Sequence, residues 1–130
     1  MQQRYQDAMA IVSAKGKPDY FLTMTCNPKW KEISSNLLNG QKASDRPDLV
    51  GRVFHQKLKE LQVDLAERDI LGKVIAKIYV IEFQKRGLPH AHILLWFASS
   101  DKPRTPDDID RWISAEIPDP VALPVLHGIV

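Results

Sequence analysis

The sequence predicts an α+β domain, with helices packed on one face of a small antiparallel sheet. Three observations predict it. Apolar runs at Val74–Gln84 and His90–Phe97 are separated only by Lys85-Arg86-Gly87-Leu88, which is short enough for an antiparallel hairpin. Val50, Phe54, Leu58, Leu61 and Leu65 recur at helical spacing and form one apolar stripe. The elements follow the order helix, strand, helix, strand, strand, helix, without the regular strand–helix alternation that a parallel sheet needs.

Tyr5, Ala8, Met9, Ile11 and Val12 mark a first amphipathic helix, ended by Gly16-Lys17-Pro18. Tyr20–Cys26 is aromatic and β-branched, stops at Asn27-Pro28, and reads as a strand. From Lys29 to Ala43 the polar mixture fits a loop or a short helix. Pro47 suits a first helical turn, so the long helix starts there and runs to about Gly72. Thr105-Pro106-Asp107-Asp108 supplies a capping hydroxyl, a first-turn proline and early acids, so a last helix should follow and turn Ile109, Trp112 and Ile113 inward. Pro118, Pro120 and Pro124 then imply an irregular tail over 118–130, leaving 1–117 as the folded domain.

A chain of 130 residues is one domain by length and can bury roughly two-thirds of its unfolded surface without disulfide staples. One cysteine, Cys26, excludes an internal disulfide and a thiolate metal cage, so a reducing intracellular setting is expected. No apolar run approaches the roughly 20 residues of a membrane span. With 18 basic and 16 acidic side chains, the net charge of +2 does not mark a nucleic-acid binder, and an anionic partner has to be met by a local patch.

The chemistry concentrates in Glu82 and in Pro89-His90-Ala91-His92. Strand side chains alternate, so His90 and His92 share one face, and the hairpin carries Glu82 back toward them. Two imidazoles and a carboxylate with open positions suit a catalytic divalent ion better than a closed structural site. Gln84 has the parity of Glu82 and is the alternative third ligand. The same histidines also fit a structural role, hydrogen-bonded in a half-buried sheet. Lys85 and Arg86 read either as solvated turn residues or as a grip on phosphates. Asn27, Lys29 and Trp30 form a candidate platform for an unpaired base, although Trp30 equally suits a lid on the core. Thr23 and Thr25 share a face that borders a site or faces water, and His55 and His127 read as surface histidines.

Three blocks together resemble the amino-terminal helicase-like domain of Helitron transposases, rolling-circle replication initiators of the HUH endonuclease type. They are Phe21-Leu22-Thr23-Met24-Thr25-Cys26-Asn27-Pro28-Lys29-Trp30, Arg46-Pro47-Asp48-Leu49-Val50 and Glu82 through His92. The resemblance runs from about Gln3 to Pro120. It implies an HUH/Rep-like sheet of the ferredoxin or RRM type, and a nickase and strand transferase acting on single-stranded DNA. Mg²⁺ or Mn²⁺ would be held by His90, His92 and Glu82, while a tyrosine attacks the phosphate to leave a 5′-phosphotyrosine and a free 3′-hydroxyl. In the family that tyrosine follows the histidine strand, whereas Tyr5, Tyr20 and Tyr79 all precede it here. Tyr20 and Tyr79 are expected to pack in the sheet, and no catalytic tyrosine is identified.

The phosphate loop of a helicase is missing as well. The expectation is therefore a fragment, truncated at its C-terminal side, or a degenerate copy of a longer transposase whose helicase half lies elsewhere. Either keeps the metal site and part of the DNA surface but cannot form the covalent intermediate. A nuclear location is implied by the resemblance alone. The alternative is an inactive single-stranded DNA binding module with structural histidines. A hydrolase with a water nucleophile ranks last, because Glu82 cannot easily serve as both ligand and base.

Overall fold

The computed structural model describes residues 2–84, 87–110, 112–113 and 116–128, with the backbone alone for residues 2–5. Helix α1 (Gln2–Lys15) leads into strand β1 (Tyr20–Thr25), a single turn α2 (Lys31–Ser34), a 3-10 turn (Ala43–Asp45) and the long α3 (Pro47–Ala66). Strands β2 (Val74–Phe83) and β3 (Pro89–Phe97) follow, then the short helices α4 (Pro106–Asp110) and α5 (Pro124–His127). The sheet order is β1-β3-β2 with both pairings antiparallel, so the architecture is α+β.

Period-two alternation along β3 divides the molecule. Ala91, Ile93, Leu95 and Phe97 face one way and join Val50, Phe54, Leu58 and Leu65 of α3 in one buried cluster with Cys26, Ile33 and Ala43. His90, His92 and Leu94 face the other way and remain half-buried. Trp96 shares that second face but is fully buried, and its indole N–H donates to the Gly16 carbonyl at 2.9 Å. The histidine face is thus closed at its Trp96 end and open at its His90 end. Asp19 ties β1 to β3: its carboxylate accepts the Phe97 N–H at 2.8 Å and pairs with Lys102 at 3.2 Å.

Helix α3 begins at Pro47 as its sequence demands but stops at Ala66, short of Gly72. The N–H groups of Glu67 and Arg68 both turn back to the Val63 carbonyl. Asp69 then adopts φ +49° and Gly72 φ +101°, a left-handed conformation that ends a helix. At Gly72 a Cβ would stand 3.0 Å from the Asp101 Cβ, so both backbone conformation and space require glycine there.

The Asp101 carboxylate accepts the Lys73 N–H at 2.7 Å. That bond, aided by one from Ser100, holds its pKa below the ordinary aspartate value. A depressed carboxylate contributes stability above its unfolded pKa of about 4 and loses it as pH falls through the lower folded-state value. An Asp101→Asn chain should therefore lose stability less steeply as pH falls below about 4, as read by urea melts at a series of acidic pH values.

Several expectations need correction. The Thr105 cap forms as expected, its Oγ1 accepting the Asp108 N–H at 3.2 Å and Asp108 accepting the Thr105 N–H at 2.9 Å. Among the described residues the helix it starts spans Pro106–Asp110, and Ile109, Trp112 and Ile113 stand substantially exposed instead of turning inward. None of the three belongs to the buried cluster, which α3, the strands and Cys26, Ile33 and Ala43 form without them.

The tail is not wholly irregular. Pro124 starts the one-turn α5, and the Asp119 carboxylate caps the turn before it by accepting the Val121 and Ala122 N–H groups at 2.8 Å. Tyr20 packs edge-on against Phe97, with ring centroids 5.3 Å apart. Tyr79, by contrast, is 44% exposed, because α3 lies over β3 and leaves β2 uncovered on that side. The Tyr5 side chain lies outside the described residues.

Candidate functional site

The hairpin register decides the site. Phe83 pairs with Pro89, Glu82 with His90 and Val80 with His92. The connection closes through the Gln84 N–H to the Leu88 carbonyl (3.0 Å) and the Gly87 N–H to the Gln84 carbonyl (2.7 Å), with Gly87 at φ +76°. On the other flank of β3, Thr25 pairs with His90, Thr23 with His92 and Phe21 with Leu94. By parity, Glu82, Val80, His90, His92, Phe21, Thr23 and Thr25 all project from the face opposite α3.

Glu82 Oε2 lies 3.5 Å from His92 Nε2, and the two imidazole centroids are 4.6 Å apart. His90 Nδ1 and Thr25 Oγ1 form a 2.7 Å hydrogen bond, whose donor depends on the ring tautomer. The Phe21 ring lies nearly parallel to His92, with a centroid distance of 5.5 Å and an interplanar angle of 7°. His92 Nδ1 is buried without a hydrogen-bond partner among the described residues. The Glu82 side chain, 67% exposed, is not locked by packing.

Among the described residues no three His, Cys, Asp or Glu side chains stand together closely enough to form a metal-holding group as they are. Two of the three expected ligands, His92 and Glu82, are in ion-pair range, and the third, His90, stacks edge-on against His92. Gln84, the alternative ligand, lies one residue beyond β2 where its backbone closes the turn, with its side chain exposed.

The outlying residues divide. Asn27 and Lys29 follow directly on the Thr25 end of β1, where the Asn27 carboxamide accepts the Lys29 N–H at 2.9 Å. Trp30 is half-buried and packs on the core cluster, with the Lys57 ammonium 5.1 Å from its ring centroid. Lys57 also pairs with Glu32 at 2.8 Å, fixing the cation over that ring. Lys85 and Arg86 lie outside the described residues. His55 and His127 are exposed, as surface histidines should be.

The family model described as the Helitron helicase-like domain at the N-terminus matches residues 1–95. The chain belongs to this family. The match takes in α1 through most of β3, and so every residue of the histidine face described above except Trp96. No curated protein matches the chain. The stretch from Thr105 to Pro120, read from sequence as part of the resemblance, lies beyond the matched part of this Helitron helicase-like domain.

Sequence reasoning did not assign roles to Phe21 or Trp96, and it left Thr25 with two readings. The even spacing of Phe21, Thr23 and Thr25 was the available signal. It becomes informative only once β1 is known to lie beside β3. Among the described residues no helix is long and apolar enough to cross a membrane.

Proposed function

We propose that this domain is the ion-binding and strand-positioning part of a Helitron transposase that acts on single-stranded DNA, with His90, His92 and Glu82 holding one Mg²⁺ or Mn²⁺. The observation that carries the reading is the gathering of two imidazoles and an unpacked carboxylate on the open face of the sheet, with one His nitrogen already engaged by Thr25. Imidazole and carboxylate donors with open positions are a fitting set for such an ion. The ion, when bound, would polarise a phosphate and stabilise charge growing on its oxygens.

The chain's own residues supply the rest. In the tautomer that donates Nδ1–H to Thr25 Oγ1, His90 would keep its Nε2 lone pair for the ion. Glu82 offsets the ion's charge. His92 has a buried Nδ1 without a partner among the described residues and an Nε2 near Glu82, so one of its nitrogens is available as a ligand. Lys85 and Arg86, which lie between Gln84 and Gly87 in the sequence, would meet the DNA backbone with Asn27 and Lys29. Trp30, packed and covered by Lys57, fits the core-lid reading better than the base-stacking one.

All three tyrosines precede the histidine strand, so the attacking hydroxyl of the family reaction is not assigned to any of these 130 residues. The proposal places the working protein in the nucleus, where its DNA substrate resides. The second reading, an inactive DNA-binding module with structural histidines, draws on the same Thr25–His90 bond.

Binding of a fluorescein-labelled single-stranded oligonucleotide, followed by anisotropy with and without Mn²⁺, separates the two. Under the metal reading Mn²⁺ tightens binding, and Thr25→Val, which removes the hydroxyl and keeps the shape, weakens Mn²⁺ affinity by roughly 10- to 100-fold while Thr25→Ser restores it. Binding that weakens with salt but ignores Mn²⁺ in both proteins would favour the module.

A further inference from the structure

The histidine face carries an aromatic ring that the ion chemistry does not use. Phe21 is 63% exposed at a sheet position where alternation places it outward, whereas Leu22 and Met24 on either side of Thr23 pack toward the core. Its ring lies almost flat on His92, so its free side offers a planar π surface directly beside the candidate ion ligands. Leu94, its register partner, is half-buried, and Val80, the register partner of His92, is 52% exposed on β2. Thr23 presents a hydroxyl between Phe21 and Thr25 on the same face. The patch therefore combines a flat apolar platform with hydroxyls and, one residue across, the group that handles a phosphate.

A nucleotide has these two chemistries at this spacing: an aromatic base with two π faces and an anionic linkage next to it. We infer that Phe21 is a base-stacking platform, on which an unpaired nucleobase of single-stranded DNA lies while the adjoining phosphate sits at the His90, His92 and Glu82 cluster. The inference rests on the single-stranded DNA reading proposed above. Stacking on an aromatic side chain accepts any base, because every base has a π face, so Phe21 contributes affinity and position and does not select sequence.

The test uses the 130-residue chain and a short labelled single-stranded oligonucleotide, compared with one carrying abasic sites. Phe21→Ala is expected to weaken binding of the intact oligonucleotide by about 5- to 100-fold. The slope of affinity against salt should stay unchanged, since no phosphate contact is lost. Phe21→Trp should retain binding, and 2-aminopurine placed within the bound segment should be quenched by the wild type and by Phe21→Trp but not by Phe21→Ala. On the abasic oligonucleotide the wild type and Phe21→Ala should bind alike.

Equal binding of the intact oligonucleotide by the wild type and Phe21→Ala would overturn the platform and leave the DNA reading standing. So would an equal loss on intact and abasic strands. Absence of any single-stranded DNA binding by the wild type would overturn both.

Discussion

Mn²⁺ at about 100 times its dissociation constant is expected to stabilise the chain by about 2.7 kcal/mol, which for a domain of this size raises the melting temperature by roughly 10 °C. The His90→Ala/His92→Ala variant should show none of that rise. Its melting temperature without the ion should stay near that of the wild type, because both imidazoles are half-buried on the open face, away from the cluster under α3. Glu82→Gln should lose part of the shift, since the amide keeps the shape but removes the charge that offsets the ion. Differential scanning fluorimetry over a Mn²⁺ titration reads all three proteins. An equal rise in the wild type and the double variant would place the ion elsewhere. No rise in either, with both folded, would leave the histidines as structural groups.

The second large effect lies under α3. Phe54→Ala is expected to cost about 3 to 5 kcal/mol, a large part of the 5 to 15 kcal/mol that typically holds a domain together. Phe54 is 1% exposed and belongs to the cluster between α3 and the sheet, so truncation opens a void that rigid strands on one side cannot fill. Phe21→Ala removes the same side chain from a site that is 63% exposed and should change stability by no more than about 0.5 kcal/mol. Urea denaturation compares the two directly, as a shift in midpoint at constant slope. A substantial loss for Phe21→Ala would mean that this ring holds the sheet together, and its stacking on His92 would then be packing.

How far each part could be read in advance follows from the range of the forces involved. The stripe on α3 was legible because burial at helical spacing is written within one segment, and four of its five members are fully buried. The capping box at Thr105 was legible for the same reason, since both partners lie within four residues. What those local signals could not show was whether an element finds a surface to cover. Helix α4 is capped as expected, yet Ile109, Trp112 and Ile113 stand exposed and outside the buried cluster. The end of α3 was misplaced because the turn at Asp69 and Gly72 depends on backbone conformation and on Asp101 from a distant segment.

The sequence by itself determined one side of the candidate site. The short connection between β2 and β3 leaves little freedom of register, and period-two alternation then puts Glu82, His90 and His92 on the same face. Tertiary structure alone decided what surrounds them. Thr25 meets His90 across 65 residues of chain, and Phe21 lies on His92, because β1 inserts beside β3 on the flank opposite β2. Trp96 is sealed by the Gly16 carbonyl 80 residues away, which closes one end of the face and leaves the other open. Such pairings are settled by which strands bury the common apolar cluster under α3, a property of the whole chain that no window of neighbouring residues contains.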